Sequence, residues 1–176
     1  MFEGTDCAVI VAVPPAEHVV KAHRARFDES ASWGVPAHLT VLYPFVHPSE
    51  LDEQILNLLA DAVRTVPSFR AEWRTTGWFD EDVLWLAPDP EESFRALTAA
   101  VVRAFPDYPP YGGEYPDLAP HLTVATRGSP GEMRAMERQV REHLPISMVV
   151  TKVQVMCGAR APDSWRTIRE APLGEG

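Results

Sequence analysis

The hydrophobic residues of the first half of the chain fall into short runs separated by polar, turn-rich segments. Continuous apolar runs predict strands over 7–13, 38–45 and 69–78, and apolar residues at helical spacing predict helices over 16–27 and 49–66. The second helix has the clearest amphipathic stripe, formed by Leu51, Ile55, Leu58, Leu59 and Val63. The predicted order is therefore strand, helix, strand, helix, strand.

The second half repeats this order. Strands are predicted over 83–87, 121–124 and 146–157, helices over 91–105 and 131–144, and a last edge strand over 165–168. Pro67 and Pro145 occupy matching places, each between the second helix of a half and the strand that follows it. We therefore predict a single domain, 1–176, of two lobes with approximate sequence halves 1–80 and 81–176. The competing interpretation is that two unrelated halves share a common strand–helix alternation.

One tetrapeptide occurs in both halves, as His38-Leu39-Thr40-Val41 and as His121-Leu122-Thr123-Val124. Successive side chains of a strand point to opposite faces, so each copy presents an imidazole beside a hydroxyl while Leu and Val face the core. Histidine exchanges protons near neutral pH and threonine binds oxyanions, so two facing pairs could hold a phosphate between an acid and a base. The competing interpretation is that both histidines are coincidental strand positions satisfied by backbone carbonyls.

Composition and charge narrow the classes of function. The 176 residues are 45% hydrophobic and 23% charged, which is typical of an ordinary soluble globular protein. The net charge of −9 is unfavourable for tracking a long phosphate backbone, so a nucleic-acid substrate should be held only over a short piece. No positively charged segment precedes an apolar run at the N-terminus, and no apolar run approaches ~20 residues. We expect a cytoplasmic monomer that does not bind membranes.

The two cysteines, Cys7 and Cys157, each lie in an apolar segment predicted to be a strand. This is the usual setting of a small buried thiol rather than of a disulfide framework. No Cys/His spacing resembles a zinc site, so we expect neither a metal nor another cofactor.

The two tetrapeptides resemble the paired His-x-Ser/Thr-hydrophobic motifs of the 2H phosphoesterases, the superfamily of 2'-5' RNA ligase-like proteins and RNA 2',3'-cyclic phosphodiesterases. The extension Leu42-Tyr43-Pro44-Phe45 is similar to the first motif of the RNA ligase-like branch. The resemblance implies a bilobal α+β fold with two antiparallel β-sheets, outer helices and a central cleft. Strand–helix alternation alone would have favoured a parallel α/β sheet.

The resemblance also implies roles for four residues. His38 would be the proton donor and His121 the proton acceptor in metal-independent attack on a cyclic phosphodiester, and Thr40 and Thr123 would bind its non-bridging oxygens. Pseudo-symmetry leaves the reverse assignment of the two histidines open. The implied substrate is a small cyclic-phosphate nucleotide or an RNA terminus, with 2'-5' RNA ligation as the reverse of the same chemistry.

Further substrate contacts are predicted from the residues themselves. Strand alternation would place Arg127 on the face of His121 and Thr123 if the strand extends that far, although a solvated arginine at a strand end is an equally good interpretation. Tyr115, in the loop before the second motif, is a candidate for stacking on a base. Tyr43, Phe45 and Tyr111 are further candidates, and the strand position of Tyr43 favours the core.

Two other classes of function compete with the enzyme. A non-catalytic module could bind a phosphate ligand or an RNA end without turning it over, but such a module would not need the histidines. An unrelated hydrolase or metal-binding protein is disfavoured because neither motif contains a carboxylate or a metal-ligand spacing.

Overall fold

The computed structural model describes residues 4–176, so the first three residues of the N-terminal segment considered above lie outside the described part. Within these residues, eight strands form one curled, fully antiparallel sheet. The strands are β1 (Asp6–Ala12), β2 (His38–Leu42), β3 (Phe69–Phe79), β4 (Val83–Asp89), β5 (Leu122–Ala125), β6 (Ile146–Val150), β7 (Lys152–Gly158) and β8 (Arg166–Pro172). Their order is β6-β3-β4-β5-β2-β1-β7-β8. The predicted α+β class with antiparallel strands is confirmed.

In the described part of the chain, five α-helices join these strands: α1 (Glu17–Phe27), α2 (Glu29–Ser32), α3 (Glu53–Arg64), α4 (Glu91–Ala104) and α5 (Pro130–Arg141). Local sequence explains where the predicted helices begin. Asp52 caps α3 by accepting from the Ile55 amide, and Ser129 with Glu132 forms a capping box at α5. The short helix α2 lies in the segment predicted only as turns.

The two predicted sheets are the two four-stranded halves of this single sheet, joined where β2 pairs with β5. Each half of the sheet contains strands from both halves of the sequence. The third strand of the first sequence half, β3, pairs with β4 and β6, whereas β7 pairs with β1. The approximate division of the chain at 80/81 therefore does not separate the halves of the sheet.

The long strand predicted over 146–157 is two strands. Thr151 separates β6, on one outer edge of the sheet, from β7, which lies next to the strand at the opposite edge. Periodicity cannot reveal such a break, because both pieces are apolar and extended. The last strand, β8, is an edge strand as predicted, but it is longer than the predicted segment 165–168.

Cys7 and Cys157 form a disulfide, so the prediction of free buried thiols is wrong. The two residues lie directly opposite each other in the β1–β7 ladder, with Cα atoms 4.0 Å apart. The sequence could not show this, because the pairing of β1 with β7 joins positions 150 residues apart.

Side chains on one face of the sheet pack into the main core beneath the helices. Alternating residues of the central strands, including Leu39, Leu122, Val124, Leu84 and Leu86, are fully buried there. The opposite face carries the two His/Thr pairs, which are half-buried. Within residues 4–176 no helix is long and apolar enough to cross a membrane.

Candidate active site

The two motifs lie side by side at the centre of the sheet. Leu39 of β2 is opposite Leu122 of β5 in an antiparallel ladder. One step to either side of this pair places His38 opposite Thr123 and Thr40 opposite His121. Residues directly opposite in such a ladder have Cβ atoms about 4.5–5.5 Å apart. The four side chains therefore form a compact square in which the two histidines occupy one diagonal and the two threonines the other.

Both imidazoles are held in the same way. The Nδ1 of His38 lies 2.7 Å from the carbonyl oxygen of Pro36, and the Nδ1 of His121 lies 2.7 Å from that of Ala119. A carbonyl can only accept, so each Nδ1 carries a proton and donates it. This leaves Nε2 of each ring as the nitrogen that can gain or lose a proton toward the cleft. Backbone carbonyls thus do satisfy both histidines, and in doing so they orient them for proton transfer.

Aromatic side chains surround His121. The ring of Phe79 meets it edge-on, with centroids 4.8 Å apart, and the indole of Trp85 lies 6.0 Å away. Gly77 of β3 makes room for this indole, because a Cβ at that position would lie 2.5 Å from its ring. Burial in this setting lowers the pKa of His121, although the contact with Ala119 partly opposes the shift.

His38 is adjacent to a buried ion pair. Arg24 of α1 donates from Nε to the Asp28 carboxylate at 2.9 Å and from Nη1 to the Val35 carbonyl at 3.1 Å, which ties down the segment before the first motif. Burial lowers the pKa of His38 to about 4, and the positive charge of Arg24 adds to the shift. The unliganded site therefore holds two neutral imidazoles at neutral pH.

Three cavities meet at the motifs. The first, which we call the His38 cavity, has a volume of about 210 Å³ and includes His38 and Thr40 in its lining. The second, the His121 cavity, has a volume of about 600 Å³ and includes His121 and Thr123. The third, of about 330 Å³, includes Thr40 and His121. Tyr111 lines all three.

The structure brings some of the predicted substrate contacts to the cleft. Tyr115 lines both of the cavities that contain His121, although the residue is 55% exposed, and it packs edge-on against Tyr111. Arg127 is exposed and lines none of the three cavities, because β5 ends at Ala125 and the strand alternation stops there. We therefore leave Arg127 out of the site.

Tyr43 lies on the cleft side, so its expected position in the core is wrong. Val9 pairs with Leu42 and Ile10 with Thr40, which leaves Val41 as an extra residue in β2. Such a bulge shifts the alternation of the residues that follow by one. Val41 and Leu42 both enter the core, and Tyr43 emerges into the His38 cavity.

Sequence reasoning missed three contributors to the site or undervalued them. Tyr111 has φ 52°, a left-handed backbone that is uncommon for tyrosine, and its amide donates to the Tyr43 carbonyl. Burial raises the pKa of its hydroxyl, and a contact with Thr40 partly opposes this. Trp85 could have been found by alternation, since it shares a face with Val83 and Ala87 between the buried Leu84 and Leu86. No sequence signal marked Arg160, which lines the His38 cavity.

This arrangement is suited to acid–base chemistry on a phosphorus centre. Two Nε2 atoms approach from opposite corners of the square and two hydroxyls from the other corners. A tetrahedral phosphate placed over the square could meet a proton donor, a proton acceptor and two oxygen-binding groups at once. None of the four motif positions carries a carboxylate.

Comparison with known proteins identifies the family and the fold. The sequence model of the 2'-5' RNA ligase superfamily matches residues 12–161. E. coli LigT complexed with 3'-AMP has the same fold, with a TM-score of 0.62 and 15% identity over 97% of this chain and 99% of that one. The protein TT0787 of Thermus thermophilus gives a TM-score of 0.55 and 19% identity over 97% and 100% of the two chains. No curated protein matches the chain by sequence.

Proposed function

Because this chain belongs to the 2'-5' RNA ligase superfamily, we propose that it is a phosphoric diester hydrolase that opens the 2',3'-cyclic phosphate of nucleotides or RNA ends without a metal. The observation that carries the proposal is the matched anchoring of the two imidazoles. Each donates from Nδ1 to the carbonyl two residues before it, so both present Nε2 to the same square. A module that only binds phosphate has no need for two histidines oriented in this way.

In the proposed reaction the cyclic phosphate lies over the square with its non-bridging oxygens on Thr40 and Thr123. Nε2 of His121 takes a proton from water, whose oxygen forms a bond to phosphorus. The bond from phosphorus to one ribose oxygen breaks on the opposite side, and Nε2 of His38 donates a proton to that oxygen. The product is a ribose phosphomonoester. With a ribose 5'-hydroxyl or another alcohol in place of water, the same steps run toward transesterification or ligation.

The negative charge of the substrate favours protonation of one imidazole, which the donor step requires. Both imidazoles are neutral at pH 7 in the free protein, since burial lowers both pKa values. A phosphodiester anion between them raises the pKa of each ring, and one ring must be protonated for the donor step. The reaction therefore has a bell-shaped pH dependence, governed by the pair of imidazoles rather than by either one.

A nucleotide-sized substrate suits the dimensions of the cleft. E. coli LigT has been crystallised with 3'-AMP, with ATP and with phosphate, and Tyr111 and Tyr115 offer aromatic faces beside the proposed phosphate position.

That the protein is a cytoplasmic monomer stays a prediction from the sequence. Because disulfides are uncommon in reducing compartments, the thiol state of Cys7 and Cys157 in cells tests the location.

The decisive experiment follows phosphorus NMR signals of 2',3'-cyclic AMP and a short cyclic-phosphate RNA with the EDTA-treated protein. We expect turnover that falls by about 10²-fold or more in His38→Ala and in His121→Ala separately, since each proton transfer contributes about that much. His18→Ala, on the exposed face of α1, is the matched control.

Three results would contradict the proposal. Near wild-type turnover in either single variant refutes paired acid–base catalysis. Loss of activity on EDTA treatment, restored by a metal, refutes metal independence. Binding of the cyclic phosphate without any product supports the non-catalytic module instead.

A further inference from the structure

The cavities on either side of the His/Thr square carry opposite charge. The His121 cavity is lined by two carboxylates, Asp80 and Asp82. Among residues 4–176, the lining of the His38 cavity contains one permanently charged side chain, the guanidinium of Arg160. An anionic substrate that extends beyond its cyclic phosphate is therefore repelled on one side of the square and attracted on the other.

The His38 cavity also suits an aromatic ring. Trp33, Tyr43, Tyr111 and Trp165 line it together with the apolar side chains of Ala8, Ile10, Val35 and Met156. Its volume of about 210 Å³ exceeds the ~150 Å³ of an engineered apolar cavity that holds benzene. In the proposed mechanism the leaving ribose oxygen faces His38, so the ribose and its base lie on this side.

Arg160 is positioned at this cavity by aromatic side chains. Its guanidinium carbon lies 5.8 Å from the centre of the Trp33 ring and its head group contacts the Tyr43 hydroxyl. Among residues 4–176 it forms no salt bridge. Tyr43 in turn donates to the Asp6 carboxylate at a long 3.5 Å. The cation is thus exposed and available to a ligand.

We propose that Arg160 binds a second phosphate, carried on the 5' side of the nucleoside that occupies the His38 cavity. The inference rests on the proposed function and narrows its substrate class. It predicts a preference for cyclic phosphates whose nucleoside is 5'-phosphorylated, or linked through its 5' oxygen to a preceding nucleotide, over those with a free 5'-hydroxyl.

Two measurements test this. In the first, kcat/KM is compared for adenosine 2',3'-cyclic phosphate with and without a 5'-phosphate. We expect the 5'-phosphorylated substrate to be preferred by about 2- to 5-fold in the wild type, the range for an exposed ion pair. The ratio falls to about one in Arg160→Gln, and Arg160→Lys keeps part of it. Arg138→Gln removes the same charge at an exposed position of α5, so it is the charge-matched control and keeps the full ratio.

The second measurement does not depend on turnover. Calorimetry compares the binding of adenosine 2'-phosphate and adenosine 2',5'-bisphosphate to the same four proteins, and we expect the same order of ratios. If the wild type hydrolyses neither cyclic phosphate but Arg160→Gln removes the bisphosphate preference, the proposed function fails and the second phosphate site stands. A wild-type ratio near one, or a ratio that Arg160→Gln leaves unchanged, overturns the site even in an active enzyme.

Discussion

The low pKa of His38 makes the stability of the protein depend on pH in a window set by this residue. Burial beside Arg24 lowers the pKa to about 4, against about 6.5 for an unfolded histidine. Between these values the unfolded chain binds more protons than the folded one. The contribution of His38 to the free energy of unfolding is therefore fully present above pH 6.5 and is lost as the pH falls toward 4.

The size of the effect follows from linkage. For one group with these two pKa values, the free energy of unfolding falls by about 2 kcal/mol between pH 7 and pH 5. The His38 side chain is partly open to the cleft, so solvent screening makes this an upper bound. The pKa of His121 shifts in the same direction, and this residue adds to the slope in the wild type and in any variant that retains it.

The assay compares urea unfolding of the wild type and His38→Gln at intervals from pH 7.5 to pH 4.5. Any packing that the variant loses is lost equally at every pH and cancels in the difference between the two slopes. We expect the wild type to lose up to about 2 kcal/mol more than the variant between pH 7 and pH 5. His18→Gln changes an exposed residue of α1 and should follow the wild-type dependence of the free energy of unfolding on pH.

Saturating inorganic phosphate provides a second arm, because an anion over the square favours the protonated imidazole and flattens the wild-type slope. Superimposable slopes for the wild type and His38→Gln, together with an NMR titration of His38 near pH 6.5 without phosphate, would refute the reasoning.

Three further predictions concern the surroundings of the site. Tyr111→Phe removes the hydroxyl beside Thr40 and should lower kcat by about 3- to 10-fold with little change in stability; unchanged kcat contradicts a positioning role. Glu137→Gln weakens a buried carboxylate that accepts from two neutral and two cationic donors, and should lower the free energy of urea unfolding by about 2 kcal/mol; a loss below about 0.5 kcal/mol contradicts it. Opening the Cys7–Cys157 disulfide, which spans 150 residues, should cost up to about 5 kcal/mol in urea, whereas an intact mass that shows two free thiols refutes the bond itself.

The element order was largely predictable because it depends on local patterns. Amphipathic spacing located α3, α4 and α5 within a few residues of their ends, and apolar runs located β1, β3 and β4. The failed predictions for the strand over 146–157 and for the two cysteines concern partners that lie far away in the chain. Nothing near residue 151 shows that β6 pairs with β3 while β7 pairs with β1, and nothing near Cys7 shows that β7 lies beside it. The sequence of a strand shows which of its faces is apolar, but it does not show which other strand pairs with it.

The sequence by itself determined the four motif side chains of the site and the face on which they stand, because alternation along a strand is a property of consecutive residues. That is why two copies of His-Leu-Thr-Val indicated the kind of chemistry. Only the tertiary structure decided how the groups combine. The register between β2 and β5 sets the diagonal of histidines, one bulge turns Tyr43 into the cleft, and burial sets the pKa values. Each of these depends on atoms brought together from distant parts of the chain, which no local pattern contains.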